Sequence, residues 1–159
     1  MKKTAPPDPA ARLVFKDRKS AFLLQGVGRE FPDVSEYWDG NWIMITVSLL
    51  MPGLSVEITD PCIRADELEA FLLELRSFSL GYSTGVESSF REPVLFIGLS
   101  APEQGEQDIV CRVEINVFAD DGVATVALEM DLTHDALDLF IRGIEDILRE
   151  YPVVARETH

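Results

Sequence analysis

From Ile109 to Met130 the chain alternates apolar and polar residues with the period of a half-covered strand. Ile109, Cys111, Val113, Ile115 and Val117 fall on one side, and Arg112, Glu114 and Asn116 on the other. Asp120-Asp121-Gly122 supplies a hairpin turn, after which Ala124, Val126, Leu128 and Met130 resume the alternation. A strand pair with one apolar and one polar face belongs to an antiparallel sheet that is covered on one side and wet on the other. Whatever else the chain forms must cover that apolar face.

The same period recurs upstream. Ile43, Ile45, Val47 and Leu49 share a face, Pro52-Gly53 reads as a tight reversal, and Leu54, Val56 and Ile58 repeat the pattern. Val94–Leu99 is apolar on both faces and predicts a more central strand, while Arg12–Phe15 and Ala21–Phe31 supply one or two more. Two segments carry helical period instead. Leu68, Phe71, Leu72, Leu75 and Phe78 form one stripe; Leu137, Phe140, Ile141, Ile144, Leu148 and Tyr151 form another, which Pro152 ends. Asp138 with Arg142 and Glu145 with Arg149 are spaced for i,i+4 ion pairs. Longer loops are predicted at Gly81–Ser89 and Ala101–Gln107. The fold class is therefore α+β: a largely antiparallel sheet of about six to eight strands with two helices packed on it.

Asp66, Leu68, Phe71, Leu72 and Leu75 match Asp135, Leu137, Phe140, Ile141 and Ile144 at one constant offset, and each helix follows a hairpin. An internal duplication of hairpin and helix is one reading. Two helices covering one sheet would share such a stripe in any case. The length of 159 residues fits one domain, expected over residues 11–155, behind a proline-rich disordered tail at residues 1–10.

The charge is uneven. Residues 1–31 hold seven basic residues against three acidic ones, whereas the remainder holds seven arginines against 25 acids, within a net charge of −14. An acidic body repels nucleic acid and anionic lipid and attracts cationic partners. No apolar stretch follows Met1-Lys2-Lys3-Thr4 as in a signal peptide, and the apolar run Ile43–Met51 is about half of what a membrane helix needs. Cys62 and Cys111, too few for a disulfide scaffold, read as free thiols. Together these point to a cytoplasmic chain with no membrane or nucleic-acid partner.

Catalytic patterns are scarce. The two histidines, His134 and His159, have no metal-ligand neighbours at useful spacing, and neither a P-loop nor a complete G-x-G-x-x-G occurs. Asp39 with Glu92, or Asp120 with Asp121, are conceivable carboxylate pairs, but turn formation accounts for the second. No catalytic residue, metal site or cofactor is expected.

The distinctive stretch is Tyr37-Trp38-Asp39-Gly40-Asn41-Trp42, which holds both tryptophans of the chain. Asp39-Gly40-Asn41 reads as a turn, because Gly and Asn tolerate positive φ. Clustered aromatics beside polar residues match a binding hot spot. A turn capped by aromatics equally needs no ligand, and the residues leave both readings open.

This stretch, with Ile43, resembles the Y-W-D-x-N-W-aliphatic signature of the WapI-type immunity proteins. Asp60-Pro61-Cys62 leading into an acidic–leucine helix, Phe90-Arg91-Glu92-Pro93-Val94-Leu95-Phe96, and the helix ending at Tyr151-Pro152 are similar to that family as well. The resemblance spans roughly residues 12–152, and the basic, proline-containing start departs from it. It implies a non-catalytic cytosolic antitoxin that binds and neutralises a toxin effector domain, a basic one by the charge argument. Tyr37, Trp38, Asp39, Asn41, Trp42 and Glu92 are the candidate partner-binding residues. The competing readings are an adaptor or structural domain and, third, a small-ligand-binding protein.

Overall fold

In the computed structural model, residues 4–157 are described; Lys2 and Lys3 of the expected tail and the terminal His159 lie outside them. Strands β1 (Ala10–Val14), β2 (Ala21–Arg29), β3 (Trp42–Met51) and β4 (Leu54–Arg64) form one antiparallel meander. A second comprises β5 (Gly85–Glu87), β6 (Leu95–Ser100), β7 (Ile109–Ala119) and β8 (Gly122–Leu132). Each meander runs into a helix, α2 (Ala65–Ser79) after the first and α3 (His134–Glu150) after the second. A single helical turn, α1 (Tyr37–Gly40), lies between β2 and β3. The α+β class holds, with eight strands divided between two sheets.

The element order occurs twice, and the repeated unit is larger than a hairpin and a helix: it is four strands and a helix. The helix caps Arg64 and Thr133 stand 69 positions apart, as do Asp66 and Asp135. The halves exchange their helices. Helix α3, at the end of the second meander, packs on β1, the first strand of the first; α2 in turn packs on β5. Leu68, Phe71, Leu72, Leu75 and Phe78 of α2 and Leu137, Phe140, Ile141 and Ile144 of α3 are buried in one cluster with the inward residues of both sheets. Neither half can therefore cover its own apolar face with its own helix alone.

Both expected hairpins form. Met51 pairs with Leu54 across Pro52-Gly53, where Gly53 takes φ +81°, and Ala119 pairs with Gly122 across Asp120-Asp121. The stretch read as a loop at 81–89 contains β5; three residues with only Val86 buried give no alternation to detect. The two expected i,i+4 pairs do not form. Glu145 instead accepts from Arg76 at 2.9 Å, Asp138 accepts from Ser79 at 2.9 Å, and Arg149 pairs with Asp146. Acids on α3 thus tie it to α2, because the two helices lie side by side and a partner on the neighbour is within reach. The basic start is tied down similarly, with Lys16 Nζ donating to Asp108.

Cys62 and Cys111 are buried free thiols, and burial pushes both up to about 12. Neither is expected to react with a thiol reagent such as Ellman's reagent at pH 8 until the protein is unfolded. Stoichiometric reaction in the native protein would contradict this packing.

Candidate functional site

The end of β4 organises the aromatic motif. Ile45 pairs with Asp60 and Ile43 with Ile63, so Pro61 and Cys62 together oppose Met44 in a β-bulge. Proline is tolerated there because an outer strand has N–H groups with no ladder partner to lose. Before the bulge β4 is exposed or half-buried; from Cys62 in the bulge through Ile63 and Arg64 it is buried.

Arg64 is 1% exposed, a position a guanidinium tolerates only with its donors met. Its Nε donates to Asp66 Oδ1 at 3.0 Å, Nη1 to the Trp38 carbonyl, and Nη2 to the Tyr37 carbonyl at 3.2 Å. The rings of Trp38, Tyr37 and Trp42 surround it at 4.5, 5.2 and 5.4 Å from the guanidinium carbon. The motif is an aromatic cage, and its occupant is the chain's own arginine. Tyr37 Oη also donates to Asp66 Oδ2 at 2.6 Å. Burial alone would raise the Asp66 carboxyl, but the hydrogen bonds from Tyr37 and Arg64 outweigh it and hold the group below its usual range.

The motif is not the positive-φ turn expected from Asp39-Gly40-Asn41. It is a helical turn capped by Glu36, which accepts from Trp38 N at 2.8 Å and Asp39 N at 3.1 Å, and Asn41 sits at φ −88°. Glycine is required at position 40 for space: a Cβ there would lie 2.9 Å from the Val34 carbonyl oxygen. Gly40→Val is accordingly expected to cost about 1–3 kcal/mol by overpacking. An unchanged thermal unfolding midpoint would contradict it.

Asn41 is fully buried. Its amide nitrogen donates to Tyr37 O at 2.7 Å and Val154 O at 3.0 Å, and its oxygen accepts from Val154 N at 2.8 Å. One side chain thereby holds the segment after α3 as a neighbouring strand would. Arg29 reinforces this, donating to the carbonyls of Gly40 and Pro152. From the other side Glu67 accepts from Arg64 N at 3.2 Å and from Arg91 N at 3.1 Å, and Phe90 meets Phe71 edge-on at 5.6 Å. Four stretches distant in sequence (37–42, 60–67, 90–94 and 151–154) meet here. Among the described residues no buried side-chain polar atom is left without a partner.

The six candidates separate accordingly. Tyr37, Trp38, Asn41 and Trp42 serve the cage and the chain crossing. Trp38 is in addition 46% exposed on its other side, with Arg91 lying 4.7 Å from its ring centre. Asp39 and Glu92 are exposed and join Asp60 around Glu30, whose carboxyl is raised by burial and then by these three charges. Arg64, Glu36, Glu67 and Arg29 do not stand out in the sequence; the one available signal was Arg64 as the sole basic residue between Arg29 and Arg76.

Among the described residues no group of His, Cys, Asp and Glu is placed to hold a metal, and no helix is long and apolar enough to cross a membrane. Open clefts of about 520 and 540 Å³, by Pro6–Ala10 with Tyr151 and by Val14–Lys16 with Leu139, are lined by none of Tyr37, Trp38, Trp42 and Arg64.

A family profile described as immunity protein WapI-like family matches residues 12–152. A search of curated proteins returns no match. Among solved structures the plant transcriptional regulator PBF-2 is similar in fold, with a TM-score of 0.51 at 10% identity over 93% of this chain and 84% of that one. A structure of MRP1/MRP2 of Trypanosoma bruciei gives a TM-score of 0.43 at 13% identity, covering 92% and 86%.

Proposed function

The chain belongs to the WapI-like immunity protein family, and from that membership we propose that it is a non-catalytic cytosolic immunity protein that binds and neutralises a basic toxin effector domain. The observation that carries this reading is the family match over residues 12–152, which takes in both meanders and both long helices. The charge supports it: a body with 25 acids beyond residue 31 attracts a cationic partner and accelerates association by about 10–10³-fold. Residues 11–155 act in this reading as one domain.

For the contact itself we favour Trp38, Asp39 and Glu92, with Glu30 and Asp60 beside them. Tyr37, Asn41 and Trp42 hold that face in shape from behind. A half-exposed tryptophan is the residue type that dominates interface energies, and a cation brought near Asp39, Asp60 and Glu92 would offset the charge repulsion that adds to the effect of burial at Glu30.

Calorimetric titration with a basic toxin domain, sought among the products of the genes beside this chain's own, is the test. The reading predicts tight binding that weakens as salt rises. Trp38→Ala is expected to weaken binding by about 2 kcal/mol while leaving most of the stability, because the caged Arg64 keeps its three hydrogen-bond acceptors. Absence of binding, or affinity indifferent to salt, would count against the reading.

A further inference from the structure

The two sheets treat their outer strands differently. Opposite β1 and β5, where the helices pack, each sheet ends in a strand with a single neighbour, β4 or β8. An unpaired edge invites another strand, and folded proteins guard against it with charges, prolines or bulges. β4 is guarded by Glu57, Asp60, Pro61 and its bulge. β8 is not. It pairs with β7 through eleven consecutive residues without a register shift, and Gly122–Leu128 (Gly-Val-Ala-Thr-Val-Ala-Leu) contains neither a charge nor a proline.

The parity of the ladder shows which groups point outward. Asn116 N donates to Val94 O, so the even residues of β7 face β6 and its odd residues face β8. In β8 the even residues therefore bond to β7 and the odd ones face away. Asp131 agrees, its carbonyl accepting from Lys16 N outside the sheet at 3.0 Å. Val123, Thr125, Ala127 and Glu129 are left presenting N–H and C=O along an open edge, with exposed side chains.

Charge decides the occupant. The neutral run is bracketed by Asp120 and Asp121 at one end and by Glu129 and Asp131 at the other. The nearby cations are engaged: Lys16 with Asp108, and Arg112 between Glu114 and Glu129. A second copy pairing antiparallel would set one carboxylate pair against the other, and like charges juxtaposed at an interface cost several kcal/mol. We propose that the outer edge of β8, from Val123 to Glu129, is a strand-addition site for an extended, β-branched protein segment with lysine or arginine at its ends. Backbone hydrogen bonds would give such a segment its affinity, and the flanking carboxylates its selectivity. The proposal rests on the reading of the chain as a protein-binding immunity protein and adds a second contact surface to it.

The test uses two synthetic decapeptides with one alternating valine–threonine core, ending in lysine pairs or in glutamate pairs, titrated into the full chain by fluorescence anisotropy. The lysine peptide is expected to bind roughly tenfold or more tightly than the glutamate peptide at low salt. It should also slow amide exchange at Thr125 and Ala127. Ala127→Pro removes only an outward N–H, so it should abolish binding at an unchanged melting temperature. Ala127→Lys, which keeps every backbone group, should weaken the lysine peptide selectively. Equal affinity for both peptides, no binding of either, or full binding by Ala127→Pro would overturn the proposal. A toxin domain that binds wild type and Ala127→Pro alike removes this edge from the immunity contact and leaves the immunity reading standing. Capture of the lysine peptide on β8 by a chain that binds no toxin domain supports the edge and removes the immunity reading.

Discussion

Arg64→Ala is expected to destabilise the protein by about 3–5 kcal/mol, the range for removing one partner of a buried ionic group. The side chain is enclosed, and its loss would take the guanidinium donor from the Trp38 carbonyl and leave the Tyr37 carbonyl to Asn41 Nδ2 and the Asp66 carboxylate to Tyr37 Oη. Three rings would then line an empty space. Arg64→Lys should recover little of the loss, because one ammonium cannot reach three acceptors that a planar fork spans. Urea unfolding followed by tryptophan fluorescence reads both effects, since both tryptophans sit on the cage. Less than about 1 kcal/mol lost in Arg64→Ala, the scale of an exposed pair, would mean that the arginine does not hold the cage together.

Gly143→Ala carries the second large effect. A Cβ at this position would lie 2.4 Å from Ala11 Cα, 2.5 Å from Ala10 O and 2.9 Å from Ala11 Cβ. Two of the three are backbone atoms of β1, so no rotamer change relieves the clash and α3 must move off the strand. Alanine would return about 1 kcal/mol in helix propensity. Overpacking that forces backbone shifts costs about 1–3 kcal/mol and occasionally more, so a net loss is expected, larger for Gly143→Val. Gly122→Ala, where a Cβ meets nothing within 4 Å, serves as the neutral control. If Gly143→Ala unfolded at or above the wild-type midpoint, the exchange of helices between the halves would be wrong in its closest contact.

The strands of the long hairpins were legible because each buries one face, and burial on one face writes a period of two into the sequence. Helices α2 and α3 were legible for the corresponding reason. β5 was not, since three residues beside α2 carry no period. The division into two sheets was equally hidden: a strand's alternation says which side is covered and nothing about which strands share a ladder. Asp39-Gly40-Asn41 misled because its composition fits a turn, while Glu36 caps the segment into helix and Val34 supplies the reason for the glycine. Tyr37 and Trp42 stood out as a cluster, but their partner Arg64 lies more than twenty residues away, and no local pattern announces a cage whose occupant comes from another strand. Asn41 shows the same limit, with its partner Val154 more than a hundred residues on.

The proposed activity, neutralisation of a toxin, is measured most directly by cell survival. Bacteria carrying an inducible copy of the toxin domain identified by calorimetric titration would be grown with and without this chain. The account predicts growth restored by the wild-type protein and reduced by Trp38→Ala at equal folded protein levels. Cells that stop growing equally in its presence and absence, with the chain folded and abundant, would contradict it.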